Sequence, residues 1–480
     1  MDRAVLLLVA APLVLAALAF AMPSGRVRPR VLLAGALVHA VATGWAWASP
    51  PPPALGGWVA IDPAGQLVLV VVSTLFLVCA VYAQGYLARR QDRDNRSFVG
   101  GLLVLLAAVS AVAVAQHLGL LWVAIELTTL STAPLIYFNH NERSLEAAWK
   151  YLVVCSVGIA LALLGTFLLA LASAGPGGPR SLLVADLVTA APTLSRTWVR
   201  FAFVCLVAGY GTKMGLAPFH AWKPDAYGEA PGLLGALLAG GVTSVAFLAI
   251  VRVLQVCLAV GEVAFARRAL SAIGLLSIGL AAVFLVRQRD FKRMLAYSSV
   301  EHMGILALGL GIGGAATTGA FLHLVYNGLT KGVLFLTAGN IHRAFGTKQV
   351  EHVRGAARLL PASGPVFLLA FLAITGSPPF APFFSEFAIL SGAVQAGAYG
   401  RAAAFLIGLA VIFVGMGATV LGLVQGAPPE GLKLDPAMGD SRLTAGPPLA
   451  LLALVLALGL WLPSPLSTLV GEAAALVRGE

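Results

Sequence analysis

The residues that point most directly to chemistry are ionisable side chains in segments that are otherwise apolar. Lys213 lies in the stretch FAFVCLVAGYGTKMGLAPF, which has the length and composition of a membrane span. A charged side chain near a bilayer centre costs roughly 2.5–3.5 kcal/mol on insertion scales, so such residues usually face the bundle interior and mark ion or proton paths. The expected partner is Glu126, the only carboxylate in the span at 119–138. A close Glu–Lys pair would let the protonation of one group alter the proton affinity of the other, with a structural ion pair as the alternative.

A second set of candidates lies in the apolar segment 315–341. His323, Asn327 and Lys331 recur at i, i+4 and i+8, so they share one stripe of a helix. A lone histidine in such a helix is commonly a satisfied core residue. Two titratable groups and an amide in register within a membrane instead favour a hydrated track for protons.

Glu386 is the candidate for the exit of such a track. It follows two consecutive prolines in the span at 361–396, where a broken helix could expose a carboxylate to water. We interpret Glu386 as an exit carboxylate. The alternative is a capping group for the second half of the helix.

Two further residues are possible relay groups. His302 follows Glu301 in the stretch AYSSVEHMG, and it either transfers protons or belongs to a polar cluster at the start of a helix. Lys150 stands at the start of a span, where we expect a lysine whose ammonium reaches the membrane surface. A relay role is the alternative for Lys150.

The amino-acid composition indicates which secondary structure carries these residues. The 480 residues are 59% hydrophobic and only 11% charged, with a mean hydropathy of +0.92, whereas about a quarter of the residues of a soluble protein are charged. The chain is therefore a polytopic membrane protein, and its apolar stretches predict an all-α fold with about 14 transmembrane helices.

The net charge of +11 has a topological explanation. In a soluble protein it would favour nucleic-acid binding, but here lysine and arginine concentrate in the loops after odd-numbered spans. The positive-inside rule then puts those loops in the cytoplasm and both termini on the outer side of the cell (inner) membrane. We predict no nucleic-acid partner.

No cofactor, metal or redox centre is predicted in this chain. Nothing in it matches a nucleotide-binding glycine loop, a nucleophile elbow or a metal-ligand set. The cysteines lack the paired spacing of disulfides or clusters and are interpreted as small hydrophobic residues. They are Cys79, Cys155, Cys205 and Cys257. At most, the chain is expected to be a non-catalytic subunit of an enzyme complex.

A duplication is visible in the sequence. A helix interrupted by proline beside a charge occurs at KMGLAP, after residue 212, and again at GSPPFAPFFSE, which ends at residue 386. Two repeats of five helices, spans 4–8 and 9–13, would have opposite orientations, as in many transporters with broken helices. The predicted divisions are an N-terminal three-helix segment at 1–97, repeats at 98–258 and 259–426, and a loop with a C-terminal helix at 427–480.

The stretch GYGTKMGLAPFHAWKPDAYGEAP, at 209–231, resembles the antiporter-like family shared by respiratory complex I, membrane-bound NiFe hydrogenases and multi-subunit cation/proton antiporters. The resemblance extends over roughly 98–425 and implies a 14-helix plan. It also implies that Glu126 and Lys213 form the pair that drives proton movement and that Lys331 is the central lysine. Glu386 occupies a position that is lysine in some members and glutamate in others.

Within that family, AYSSVEHMG resembles the hydrogenase-4 component F branch. One position departs from the pattern, because many members carry a bridging lysine in the eighth span where this chain has Ser244. Either water and hydroxyl groups connect Lys213 to His323, or the first half-channel is poorly coupled to the second.

The resemblance implies a function. It implies a proton-translocating subunit of a redox-driven complex of the hydrogenase-4, formate hydrogenlyase or NADH:quinone oxidoreductase type. The implied partners are the lipid bilayer, other membrane subunits and peripheral NiFe and iron–sulfur redox subunits, and the ion is H⁺, with Na⁺ as the alternative. Two other functions stay open, a non-redox cation/proton antiporter or inorganic-carbon uptake subunit and a non-conducting scaffold.

Overall fold

A computed structural model describes residues 4–90, 93–175, 177–179, 181–428 and 438–478. Throughout these residues the secondary structure is helical, without a β-sheet. In chain order the helices are α1 (Leu7–Ala21), α2 (Arg28–Ala48), α3 (Pro63–Ala88), α4 (Arg96–Val114), α5 (Leu118–Ile136), α6 (Glu142–Ala172), α7 (Val184–Thr189), α8 (Arg196–Met214), α9 (Trp222–Glu229), α10 (Gly232–Leu237), α11 (Thr243–Ala259), α12 (Val263–Leu285), α13 (Phe291–Ile312), α14 (Ala315–Phe345), α15 (Ala356–Leu359), α16 (Ser363–Ile374), α17 (Ala381–Gln395), α18 (Tyr399–Gln425), α19 (Arg442–Leu460) and α20 (Ser464–Ala475).

Eleven helices in the described part of the chain are long and apolar enough to cross a membrane. The all-helical, multi-pass membrane fold predicted from composition is thereby confirmed. Helices α8 and α14 fall outside these eleven because polar residues lower their hydropathy, and those helices carry Lys213 and Lys331.

Of the predicted C-terminal division, residues 429–437 and 479–480 lie outside the described residues. So do Arg180 and Lys433, two of the basic residues in the loop pattern.

The helices that carry polar side chains lie inside the bundle. Helix α14 packs against α10, α13, α16, α17 and α19. Small residues allow the closest approaches, and a Cβ atom on Gly304 of α13 would lie 2.7 Å from the carbonyl oxygen of Gly274 in α12. Such close contacts between backbones are typical of helix packing in membranes, where small residues replace a hydrophobic driving force.

Two of the helical paths are interrupted. Helix α8 ends at Met214, where Gly215 adopts a left-handed conformation with φ of +83°, and the chain becomes helical again at Trp222. Helix α16 ends at Ile374, Gly376 has φ of +69°, and α17 begins at Ala381. Glycine tolerates this conformation, and the prolines that follow cannot continue the hydrogen-bond ladder.

A third irregularity joins α10 to α11. The helical path at Gly232–Ala259 contains a π-helical turn at Leu238–Val242, directly before Thr243 and Ser244. Single π-turns of this kind are frequent at functional sites because they displace the following side chains around the helix. Every residue of this turn is buried.

Candidate functional site

Lys213 lies in the last turn of α8, and its residue is 1% exposed. Its Nζ donates hydrogen bonds to the hydroxyl of Tyr151, at 2.5 Å, and to that of Thr129, at 3.0 Å. Nζ also lies 4.8 Å from the centre of the Tyr151 ring. The ammonium is therefore held by neutral hydroxyls of α5 and α6 and by an aromatic face.

Lys213 and Glu126, expected as a close pair, share no hydrogen bond or ion pair in the described part of the chain. Glu126 lies one turn before Thr129 on α5, and its Oε1 accepts a hydrogen bond from Ser156 at 3.3 Å. Its Oε2 is buried without a hydrogen-bond partner among the described residues. Because the ammonium bonds to Thr129 and Tyr151, the carboxylate acts on Lys213 through electrostatic attraction and not through a hydrogen bond.

Lys331 has a similar environment at the centre of α14. It is fully buried, and its Nζ donates to the hydroxyl of Ser298 at 2.8 Å. Ser298 donates in turn to Oε2 of Glu301 at 3.3 Å, and that oxygen lies 3.8 Å from Nε2 of His302. The Ser298 hydroxyl thus lies between Lys331 and the carboxylate of Glu301, and both Lys213 and Lys331 donate to hydroxyl groups.

The polar chain continues through two histidines. Ser385 Oγ donates to the carbonyl oxygen of Pro382 at 2.8 Å, so it accepts from Nδ1 of His323 at 2.9 Å. This leaves Nε2 of His323 to accept from Nδ1 of His302, which lies 3.0 Å away. With these tautomers, the bonded groups run from α13 through α14 to α17.

Glu386 lies at the far end of this chain. One nitrogen of His302, one of His323 and one carboxylate oxygen of Glu386 all lie within 4.8 Å of one another. This spacing also suits a metal ion, but the two imidazoles already bond to each other. Oε1 of Glu386 is buried without a hydrogen-bond partner in the described part of the chain. The structure therefore brings together three residues that the sequence had marked separately.

The predicted stripe on α14 is only partly connected. His323 and Lys331 are bridged by groups of α13, and Oδ1 of Asn327 has no hydrogen-bond partner among the residues described. Ser244 donates to the carbonyl oxygen of Gly240 in its own helix, at 2.5 Å. Its hydroxyl is therefore occupied within the π-turn, and the backbone bond gives it no link to either lysine.

Lys150 is exposed at the surface of the bundle, as expected for a lysine at the start of a span. Its side chain is 48% exposed and forms ion pairs with Glu146, at 2.6 Å, and Asp225, at 3.0 Å. Asp225 also pairs with Arg293 at 2.9 Å. These contacts join the start of α6 to α9 and α13 at one face of the bundle.

The basic residues assigned to the loops after odd-numbered spans included Lys223, and its assignment to an exposed loop is wrong. Lys223 belongs to α9, is fully buried, and donates from Nζ to the carbonyl oxygen of Met214 at 2.8 Å. The reason is that α9 turns back beneath the end of α8, so the loop lies inside the bundle.

Sequence reasoning also missed the hydroxyl groups that hold the lysines, because serine, threonine and tyrosine are common in membrane helices and carry no local signal. They are Thr129, Tyr151, Ser298 and Ser385. Glu301 was noted but not included among the expected path residues.

The fold and this chain of groups define a class: a polytopic, all-helical membrane protein with ionisable side chains in its core beside helix breaks. The profile of the family described as NADH:quinone oxidoreductase/Mrp antiporter, TM matches residues 115–412. The chain belongs to this family, as the motif at 209–231 predicted. It is an antiporter-like subunit homologous to subunits of complex I, hydrogenase-4 and Mrp antiporters.

Relatives agree with this assignment. The chain is 35% identical over 381 residues to a hydrogenase-4 component F homolog of Methylacidiphilum infernorum, covering 77% of this chain and 79% of that protein. It is 34% identical over 391 residues to NADH-quinone oxidoreductase subunit N of Desulforudis audaxviator, covering 80% and 75%. In fold it matches a chain of an archaeal membrane-bound sulfane sulfur reductase with a TM-score of 0.89 at 22% identity, over 99% of this chain and 98% of that one.

Proposed function

We propose that this chain translocates protons as a membrane subunit of a redox-driven complex of the hydrogenase-4 or NADH:quinone oxidoreductase type. Electron transfer in partner subunits would supply the free energy, and this chain would supply the path. The names of its relatives motivate the type of complex. The buried ionisable groups motivate the role of the chain within it.

One observation carries the proposal. Two lysines, Lys213 and Lys331, are buried in the bundle, and the Nζ of each donates its side-chain hydrogen bonds to hydroxyl groups and not to a carboxylate. A direct, fully buried ion pair would hold a lysine in its charged form. Hydroxyl partners can donate or accept, so they solvate the amine and the ammonium alike and let a proton leave.

The path we propose has two parts. In the first, the charge of Glu126 sets the protonation of Lys213. In the second, a proton moves from Lys331 past Ser298 and Glu301 to the histidine pair. Proton exchange along His302 and His323 would flip their tautomers in turn, and Glu386 would then receive the proton and release it.

The architecture we propose has 14 transmembrane helices arranged in two inverted repeats of five. Adding α8, α14 and the pair α16 and α17 to the eleven apolar spans gives this number. In each group of five the fourth helix is the interrupted one, α8 with α9 in the first and α16 with α17 in the second. Lys213 precedes the break after α8, and Glu386 follows the break after α16. The basic loops favour both termini on the outer side of the inner membrane.

The test uses the purified complex in proteoliposomes. Electron transfer and the internal pH are followed together in wild type and in Lys331→Met, which removes the amine and keeps much of the volume. We expect electron transfer with little proton movement in the variant. Thr337→Val is a matched control, because the Thr337 hydroxyl is also buried in α14 but bonds only to backbone carbonyls of its own helix. Equal proton movement in wild type and Lys331→Met would refute the proposal.

Cation/proton exchange without redox chemistry is the second candidate, because the family description includes Mrp antiporters. The same proteoliposomes distinguish the two. An imposed Na⁺ gradient that moves protons without electron donors would favour exchange, and proton movement only during electron transfer would favour the redox-driven role.

A further inference from the structure

The family pattern puts a bridging lysine in the eighth span, where this chain has Ser244, yet the structure contains another buried lysine between the two halves. Lys223 is 0% exposed and lies in α9, between the end of α8 and the centre of the bundle. We propose that Lys223 is the group that passes protons from Lys213 toward Lys331, in place of a lysine at position 244. This inference rests on the function proposed above.

The backbone makes room for the side chain of Lys223 at the end of α8. A Cβ atom on Gly215 would lie 2.6–2.8 Å from Cδ, Cε and Nζ of Lys223, so the side chain crosses the end of α8 directly against this glycine. The crossing brings Nζ to the carbonyl oxygen of Met214, the residue after Lys213. The two lysines therefore meet the same helix end from opposite sides of the break.

The simplest structural role for Lys223 would be to cap the carbonyl groups at the end of α8. Trp222 already performs such a role with a neutral group, because its Nε1 donates to the carbonyl oxygen of Thr212 at 2.9 Å. Another neutral donor could do the same at Met214 without the cost of burying a charge. Among the described residues, moreover, no carboxylate lies within 4.0 Å of Lys223. An unpaired buried amine is suited to exchanging its proton.

Lys223 has titratable neighbours in both halves of the bundle. Toward the first half, Cys155 of α6 is influenced by the charges of both Lys213 and Lys223. Toward the second half, Lys223 interacts electrostatically with Lys331 and with His302. His220 is its other titratable neighbour in the interrupted segment. Lys223 thus interacts with both halves of the proposed path, whereas the Ser244 hydroxyl is bonded within its own helix.

Aromatic residues follow the same route. The Tyr151 ring, which holds Lys213, lies 5.0 Å from the Trp222 ring, and Trp222 lies 5.9 Å from Tyr227. Nζ of Lys223 is 5.6 Å from the centre of the Tyr227 ring. Tyr227 in turn contacts Phe335, one turn after Lys331, at 5.4 Å.

Two hydroxyls with unused hydrogen-bonding capacity lie on the far side of Lys223. The hydroxyls of Tyr227 and Ser299 are both buried, and neither has a hydrogen-bond partner among the described residues. Ser299 directly follows Ser298, the residue that accepts from Lys331. Hydroxyl groups can both accept and donate a proton. They supply the step from Lys223 to the second half.

In the transfer itself, the ammonium of Lys213 gives up a proton and becomes a neutral amine, and the neutral amine of Lys223 takes it up. Lys223 then passes the proton through the two hydroxyls to the neutral amine of Lys331. No other reactant is needed. Two ammonium groups at Lys223 and Lys331 would repel each other. A proton therefore moves from Lys223 to Lys331 only after Lys331 has released the proton that it carried.

The experiment compares variants of the whole complex in proteoliposomes, with assembly, electron transfer and internal pH measured together. Lys223→Gln keeps a donor for Met214 but cannot carry a proton, and the double variant Lys223→Gln with Ser244→Lys restores an amine in the eighth span. Lys292→Gln is the matched control, because Lys292 is also buried and its Nζ donates to the carbonyl oxygen of Ala230 at 2.6 Å.

We expect Lys223→Gln to lower the protons moved per electron by at least about tenfold, since loss of a proton-transfer group typically costs 10²–10⁴-fold in rate. The double variant should recover a large part of this loss, and the control should resemble wild type. Normal pumping by Lys223→Gln, or failure of the complex to assemble with either glutamine or methionine at 223, would overturn the proposal. If both Lys223→Gln and Lys213→Ala pump normally, the proposed function itself is refuted. If Lys213→Ala is defective while Lys223→Gln pumps normally, only the proposed role of Lys223 is refuted.

Discussion

The hydroxyl of Tyr151 accepts a hydrogen bond from the ammonium of Lys213 at 2.5 Å, in the place where a carboxylate was expected. Glu126 lies beyond this contact and acts through its charge. A neutral partner leaves the lysine free to change its protonation, whereas a direct ion pair would fix it. The same arrangement recurs at Lys331, whose partner is the Ser298 hydroxyl.

The first prediction concerns Tyr151→Phe, which removes one hydroxyl and keeps the ring over Lys213. A hydrogen bond to a charged group contributes about 1.5–3 kcal/mol, so its loss should slow proton movement by about tenfold or more. The initial rate of internal pH change per electron transferred measures this. Tyr210→Phe is the control, because the Tyr210 hydroxyl is buried in α8 without a hydrogen-bond partner in the described structure. An equal effect of the two variants would contradict the role of Tyr151.

The second prediction concerns Ser298→Ala, which removes the link between Lys331 and Glu301. We expect normal assembly and electron transfer with about tenfold slower proton movement, since two hydrogen bonds to charged groups are lost. Ser131→Ala serves as control, because the Ser131 hydroxyl bonds only to the carbonyl oxygen of Thr128 in its own helix. Undiminished proton movement in Ser298→Ala would exclude Ser298 from the path.

The third prediction uses two glycines with the same backbone conformation. Gly376 and Gly397 have φ of +69° and +66°, so alanine at either position is expected to cost about 1–2 kcal/mol. A Cβ atom on Gly376 would collide with Oε2 of Glu386, whereas one on Gly397 would meet nothing within 4 Å. Only Gly376→Ala should therefore impair proton release while both variants lose similar stability. Equal proton movement in the two variants would argue against Glu386 as the exit.

The fourth prediction separates structural from conducting charges. Arg252 is fully buried, donates to the carbonyl oxygen of Ala113 at 2.8 Å and lies 3.7 Å from Asp62. Arg252→Met should lower the stability by about 2–3 kcal/mol, less than the 3–5 kcal/mol of a fully buried pair, because the Asp62 side chain is 20% exposed. Thermal denaturation in detergent measures the loss. The number of protons per electron should not change, and a change would place Arg252 in the path.

The sequence predicts the helical membrane class and most of the ionisable residues at the site, because a charge in an apolar segment is conspicuous locally. It does not predict their partners. Tyr151 is 62 residues from Lys213 in sequence, and Ser298 is 33 residues from Lys331, so their contacts depend on helix packing. Lys223 was misplaced for a related reason. Its segment is polar enough to resemble a loop, but α9 turns inward beneath α8, and only the fold reveals that burial.

The most direct test of the central claim is the number of protons moved per electron by the intact complex in proteoliposomes carrying Lys213→Ala. Assembly is verified on the same preparation, and Glu126→Ala is measured beside it, since the charge of Glu126 is proposed to set the state of Lys213. The account predicts that electrons still flow while coupled proton movement is abolished in both variants. Proton movement at the wild-type ratio in both variants would contradict it.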